Sequence, residues 1–152
     1  MSRRDQIRLT DDEIRKFVAE SHTIILCTSS PNGFPHAMPM WFRVDDEGTI
    51  RITTYSKSQK VRNIERDPRV TLLVESGEAY EELRGVALYG HAELVRDPER
   101  VIDTLIEANK LGDRADPKVR DMMRSNASKR VLIEIKPEKV VSWDHSKLGG
   151  VY

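Results

Sequence analysis

Two hydrophobic periods alternate along the chain, and the switches between them mark its elements. After Thr10-Asp11-Asp12-Glu13, the apolar residues Ile14, Phe17 and Val18 recur at i, i+3 and i+4. That spacing predicts a helix, opened by a Thr10/Glu13 capping box and by acids suited to the positive helix end. His22 to Thr28 is rich in β-branched residues and reads as a strand, and Pro31-Asn32-Gly33 is a turn signal. A second strand is expected over Pro35 to Val44 and a third over Thr49 to Tyr55, joined by Asp45-Asp46-Glu47-Gly48.

Ser58 to Arg66 carries Val61 and Ile64 at helical spacing and stops before Asp67-Pro68, since the residue ahead of a proline avoids helical angles. Strands follow over Arg69 to Glu75 and over Leu83 to Val95, the latter split by Gly90. Asp97-Pro98 starts a helix with Val101, Ile102, Leu105 and Ile106 on one face, ended by Gly112, and Asp116-Pro117 starts another. Lys129 to Lys136 and a last segment to Trp143 return to strand. Hairpin-length connections favour antiparallel pairing. The expected fold is mainly β with flanking helices, a six- to seven-stranded antiparallel split β-barrel whose closure removes exposed edges.

Composition narrows the function classes. The 152 residues read as one domain, and 38% hydrophobic content supplies a core. The 25 basic and 25 acidic residues cancel, which argues against a nucleic-acid partner. No apolar run approaches a membrane span and no apolar signal core follows the N-terminus, so a cytoplasmic, non-membrane protein is expected. The single Cys27 excludes a disulfide framework, and His22, His36, His91 and His145 are too scattered in sequence to suggest a metal site. Gly85 to Gly90 has P-loop glycine spacing, but His91-Ala92 replaces the required Lys and Ser/Thr. Nothing nominates a nucleophile.

Thr53-Thr54-Tyr55-Ser56-Lys57-Ser58-Gln59-Lys60-Val61-Arg62-Asn63 is the most informative stretch. A strand ends in hydroxyl residues, and a helix then begins with Ser58 and Lys60 in its first turn. Free N–H groups and a partial positive charge at a helix start attract phosphate. Lys57, Lys60 and Arg62 sit where cations are ordinarily unfavourable. Five bases (Lys57, Lys60, Arg62, Arg66, Arg69) face two acids (Glu65, Asp67) between Ser56 and Arg69. A solvated basic helix face is one reading of that surplus; an anion site at the helix start is the other.

The run Ser58-Gln59-Lys60-Val61-Arg62-Asn63-Ile64-Glu65-Arg66-Asp67-Pro68-Arg69-Val70-Thr71-Leu72-Leu73-Val74 resembles the pyridoxamine 5′-phosphate oxidase-like superfamily of flavin-binding split barrels. Pro35-His36-Ala37-Met38-Pro39-Met40-Trp41-Phe42 stands where that superfamily lays its cofactor ring along a strand. The likeness spans roughly residues 10 to 143. Lys60, Asn63 and the Trp143-Asp144-His145 tail are most similar to the branch that uses the deazaflavin coenzyme F-420. Gln59 stands where true pyridoxamine phosphate oxidases carry an Arg, and their C-terminal Arg/His substrate motif is missing.

The resemblance implies a site. Lys60 matches the phosphate-binding lysine, with Ser58, Gln59 and Asn63 beside it; Thr53, Thr54 and Tyr55 would line the ribityl chain and ring edge. Met38, Pro39, Met40 and Trp41 would offer backbone groups and an apolar shelf to the ring, with one of Met40 and Trp41 expected in the core. Lys57, with Arg62, would meet the longer anionic tail of coenzyme F-420, and Trp143 of a partner subunit would close the pocket. His145, Lys147 and Tyr152 are polar candidates near its mouth. The implied activity is hydride transfer to an activated C=C or C=N bond of a small organic substrate. FMN is the alternative cofactor, and a non-catalytic cofactor- or haem-binding protein is the alternative class. A homodimer is expected, with Leu148, Val151 and Tyr152 of the tail reaching across to the partner.

Overall fold

A computed structural model describes residues 1–150; the expectations for Val151 and Tyr152 lie outside the described residues. The chain runs α1 (Arg3–Gln6), α2 (Asp11–Glu20), β1 (Thr23–Ser29), β2 (Pro35–Trp41), β3 (Arg43–Val44), β4 (Ile50–Tyr55), α3 (Gln59–Arg66) and β5 (Arg69–Ser76). It continues through β6 (Arg84–Val95), α4 (Pro98–Ala108), α5 (Pro117–Ala127) and β7 (Arg130–Asp144), with 3₁₀ turns at Tyr80–Glu82 and His145–Leu148. All seven strands form one antiparallel sheet in the order β2-β1-β5-β6-β7-β4-β3.

The caps fall where side-chain chemistry placed them. Thr10 accepts from the Glu13 N–H at 3.2 Å, and Glu13 accepts from the Thr10 N–H at 2.7 Å. Asp97 and Asp116 cap α4 and α5, each with proline in the first turn. The short helix α1 was not anticipated, although Ser2 and Asp5 close the same kind of box. α4 ends at Ala108, ahead of the expected stop at Gly112, where the chain turns through Lys110 and Gly112 at positive φ.

Two expected strands are resolved differently. The segment Pro35 to Val44 is not one strand: it breaks at the buried Phe42, and β2 and β3 lie at opposite edges of the sheet. Conversely, β7 is one fifteen-residue strand where two were expected. Pro137, which has no N–H to donate, sits at a register shift opposite Tyr89 and Gly90, so the ladder bends without ending. Gly90 is needed there because a Cβ would meet the Lys136 carbonyl oxygen at 3.0 Å.

Alternation sorts the faces. Ile24, Leu26, Leu72, Val74, Val86, Ile52, Ile133 and Ile135 are almost wholly buried inside the curled sheet, capped by Phe17 and Val18 of α2 and Ile64 of α3. A second cluster, including Val101, Ile102, Leu105, Ile106, Ala127 and Leu132, packs α4 and α5 on the β7 side. The opposite sheet face carries two cross-strand rows. One is Pro39, Ile25, Leu73, Ala87 and Val141; the other is Ala37, Cys27, Thr71, Tyr89 and Lys139. Residues from five strands line a recess of about 560 Å³ on that face, and none comes from a helix.

Candidate functional site

β3 pairs with β4 only at Arg43/Arg51 and Val44/Ile50, which leaves Ile52 to Tyr55 without a partner on that side. β2, at the far end of the strand order, is likewise paired on one side only. The sheet is therefore split between these two lips, each bearing unmatched backbone groups. Pro35 and Pro39 blunt the β2 lip, because proline offers no N–H to an intruding strand.

α3 begins at one end of this split. Its cap residue Ser58 has extended backbone angles, but its hydroxyl bonds nothing in the first turn, and Ser58 Oγ is buried without a partner. The first N–H groups of α3 are free by helix geometry, so a hydroxyl, a set of amides and the helix dipole converge there. Lys60 follows two residues later, in the first turn of α3. It is 8% exposed, and its Nζ donates to Thr54 Oγ1 at 3.2 Å. No carboxylate lies within ion-pair distance of it among the described residues. Burial pulls its ammonium below the ordinary lysine value of 10.5. A buried cation facing only a neutral hydroxyl is costly unless an anion joins it. This cradle fits a phosphate group.

Asn63 fixes the helix over the cradle. Fully buried, it donates through Nδ2 to Thr28 Oγ1 at 3.0 Å and Ser30 Oγ at 3.3 Å, and accepts from Gln59 Nε2 at 2.8 Å. Gln59, expected beside the phosphate, is thus engaged along its own helix. Lys57 and Arg62 are exposed and have no carboxylate partner among the described residues.

The other expected residues are distributed along the lips. Thr54 points inward to Lys60, while Thr53 and Tyr55 point outward, Tyr55 being 55% exposed. Met38 and Pro39 are exposed at the β2 edge; Met40 packs on the core and Trp41 stays 55% exposed, so the core residue of that pair is Met40. A cleft of about 250 Å³ joins the lips outside the barrel, lined by Pro39, Met40, Trp41 and Thr53 and walled by α4 and α5. Arg130 and Asn126, which also line it, went unnoticed in the sequence.

Trp143 does not join this group within one protomer. It pairs with Gly85 near the opposite end of β7 from Arg130, and its indole covers Gly85 so closely that a Cβ there would overlap the ring. The described part of the tail after it meets the chain's own N-terminal segment and 3₁₀ turn. Asp144 N donates to Ile7 O at 2.7 Å, Lys147 Nζ to Glu13 Oε2 at 2.6 Å and Arg8 O at 3.0 Å, and His145 Nδ1 lies 3.0 Å from Tyr80 O. His145 and Lys147 therefore clasp the chain's own 3₁₀ turn and N-terminal segment.

Residues 10–144 match the family described as pyridoxamine 5′-phosphate oxidase. Over 73 residues, 45% of this chain, the sequence is 36% identical to a 5a,11a-dehydrotetracycline/5a,11a-dehydrooxytetracycline reductase of Streptomyces rimosus; the chain spans about half (51%) of that protein's length. The crystal structure of the conserved hypothetical protein Rv2991 from Mycobacterium tuberculosis superposes with a TM-score of 0.87 at 37% identity, over 100% of this chain and 95% of that one. An F420 reductase superposes with a TM-score of 0.63 at 27% identity, over 83% of this chain and 94% of that one. No helix among the described residues is long and apolar enough to cross a membrane.

Proposed function

The chain belongs to the pyridoxamine 5′-phosphate oxidase family, and from that premise we propose that it is an oxidoreductase using the deazaflavin coenzyme F-420. It would transfer a hydride to an activated C=C or C=N bond of a small organic substrate. The observation that carries this reading is the charge of the cradle. Lys60 is its one buried cation, and Thr54, Ser58 and Asn63 around it are neutral. A single positive charge balances a phosphodiester monoanion, whereas the terminal phosphate of FMN approaches two negative charges at neutral pH. Lys57 and Arg62, exposed beside the cradle, suit the further anionic groups of a longer cofactor. The relative named as an F420 reductase supports the same choice of cofactor, and the one named as a dehydrotetracycline reductase supports a reductive activity.

When bound and reduced, the coenzyme supplies the hydride, so the protein needs no nucleophile of its own. Lys60, the Ser58 hydroxyl and the first N–H groups of α3 would hold the phosphate. The free edge of β2 would offer backbone groups to the ring, with the exposed Trp41 as its apolar shelf. Helices α4 and α5 wall the substrate cleft from solvent on one side, and water would supply the single proton that completes the reduction after hydride transfer. The protein would work as a homodimer through the helix-free sheet face, which would bring Trp143 of one subunit to the cleft of the other.

Lys60→Ala is the direct test. A charge-assisted bond contributes on the order of 1.5–3 kcal/mol, so the variant should bind coenzyme F-420 about ten- to a hundredfold more weakly with an unchanged circular dichroism spectrum. Unchanged affinity would place the anion site elsewhere and remove this reading.

A further inference from the structure

The cleft between the lips holds a second cation, and its setting differs from that of its neighbours. Arg51, also on the cleft wall, is held by Asp45 at 2.9 Å and Glu134 at 2.9 Å. Glu134 is further bound by Arg100, and Arg43 and Arg114 both pair with Glu107. Arg130 pairs with no carboxylate among the described residues. Its Nε donates to Asn126 Oδ1 at 2.7 Å, and its guanidinium lies 4.5 Å from the centre of the Tyr55 ring. The β4–β7 register sets this up by placing Tyr55 directly opposite Arg130. One nitrogen and one face of the fork are therefore engaged by neutral groups, while its two terminal nitrogens have no partner among the described residues.

Such a guanidinium is already immobilised. Stacking and the Asn126 bond remove much of its rotamer freedom on folding, so a ligand loses little further entropy in meeting it. Planar fork geometry matches two coplanar oxygens better than a single point acceptor. Around it stand Trp41, Pro39 and Met40, which suit a flat apolar body. Thr53 and Asn109 also line the cleft. At about 250 Å³ the cleft lies below the ~300–1,000 Å³ of pockets for drug-sized ligands, which fits a compact ring system.

We propose that Arg130 is a specificity-determining anchor and that the substrate class is a planar conjugated anion, a carboxylate or ionised enol attached to the unsaturated bond. This deepens the proposed function and rests on it for the identity of the reaction. The oxyanion taken by Arg130 has two conceivable sources, a substrate or the carboxylate-bearing tail of the cofactor, and the two are separable by experiment.

The full-length protein, with and without coenzyme F-420, is titrated by calorimetry with cinnamate and with its neutral isostere cinnamamide. Wild type should prefer cinnamate by about tenfold or more. Arg130→Gln should abolish that preference and leave coenzyme F-420 affinity within about twofold of wild type. Arg130→Lys, which keeps the charge and loses the fork and the ring stacking, should recover only part of the preference. Equal affinity of wild type for the two probes would overturn the proposal. So would an Arg130→Gln variant that weakens coenzyme F-420 and leaves cinnamate untouched, since the guanidinium would then read the cofactor tail. If coenzyme F-420 fails to bind while the cinnamate preference depends on Arg130, the anion anchor stands and the cofactor assignment alone falls.

Discussion

Lys60 Nζ meets Thr54 Oγ1 at 3.2 Å, a buried ammonium donating to a neutral hydroxyl across the gap between α3 and β4. The pair sets the helix start against the strand that ends in Thr53, Thr54 and Tyr55. It also leaves the positive charge unneutralised, and the consequences are measurable.

The first concerns pH. Burial lowers the folded-state pKa of Lys60 beneath its ordinary 10.5. Between the lowered value and 10.5 the unfolded chain keeps a proton that the folded chain has released, so this group makes stability rise with pH across that window. Cofactor affinity should fall across the same window, as the ammonium is lost. Urea midpoints of the apo protein and coenzyme F-420 affinity, followed from neutral pH to 10.5, should therefore move in opposite directions. Lys60→Met, which lacks the titrating group, should lose both contributions. Parallel curves for variant and wild type would contradict the assignment.

A second prediction separates two cap residues of the same type. Thr10 caps α2 in a reciprocal box with Glu13, whereas Ser58 occupies the equivalent place in α3 and caps nothing. Thr10→Ala should cost about 1 kcal/mol of stability and leave cofactor affinity alone. Ser58→Ala should leave stability nearly unchanged and weaken the cofactor severalfold, the worth of a hydrogen bond of about 0.5–1.5 kcal/mol. Denaturation and binding curves for the pair check this; a Ser58 variant that loses stability but not affinity would make the hydroxyl merely structural.

The third prediction concerns assembly. Leu73 lies mid-row on the helix-free sheet face, between Ile25 and Ala87. Sedimentation at micromolar concentration should give twice the 17.5 kDa of the chain. Leu73→Glu, placing a charge in the face proposed to pair two subunits, should sediment as a folded monomer and bind cofactor more weakly. A wild-type monomer would contradict the proposed dimer.

Much of this was legible in the sequence where one residue's chemistry decides its own neighbourhood. The Thr10/Glu13 box, the Asp-Pro starts of α4 and α5, and the hydroxyl-to-lysine passage into α3 are local, and each stands where expected. The crossing at Phe42 was not legible. Met40-Trp41-Phe42 is a continuous apolar run, and only the curl of the sheet shows that Met40 and Phe42 pack on the core while Trp41 stays exposed at the β2 lip. Pro137 reads locally as a strand end, yet the register shift opposite Gly90 absorbs it. Arg130 was invisible for the same reason. Its partner ring, Tyr55, comes from a strand distant in sequence, and only the β4–β7 register brings the two together.

A cradle built for one negative charge shows itself in the affinity ratio of coenzyme F-420 to FMN, measured by equilibrium dialysis at pH 7.5 and again at pH 5.5. A phosphodiester keeps a single charge at both pH values, whereas a phosphate monoester gains a proton near a pKa of about 6. Coenzyme F-420 should bind more tightly at pH 7.5, with a ratio that shrinks at pH 5.5 as FMN approaches a monoanion. Tighter binding of FMN at pH 7.5, or a ratio unmoved by pH, would contradict a cradle of that charge.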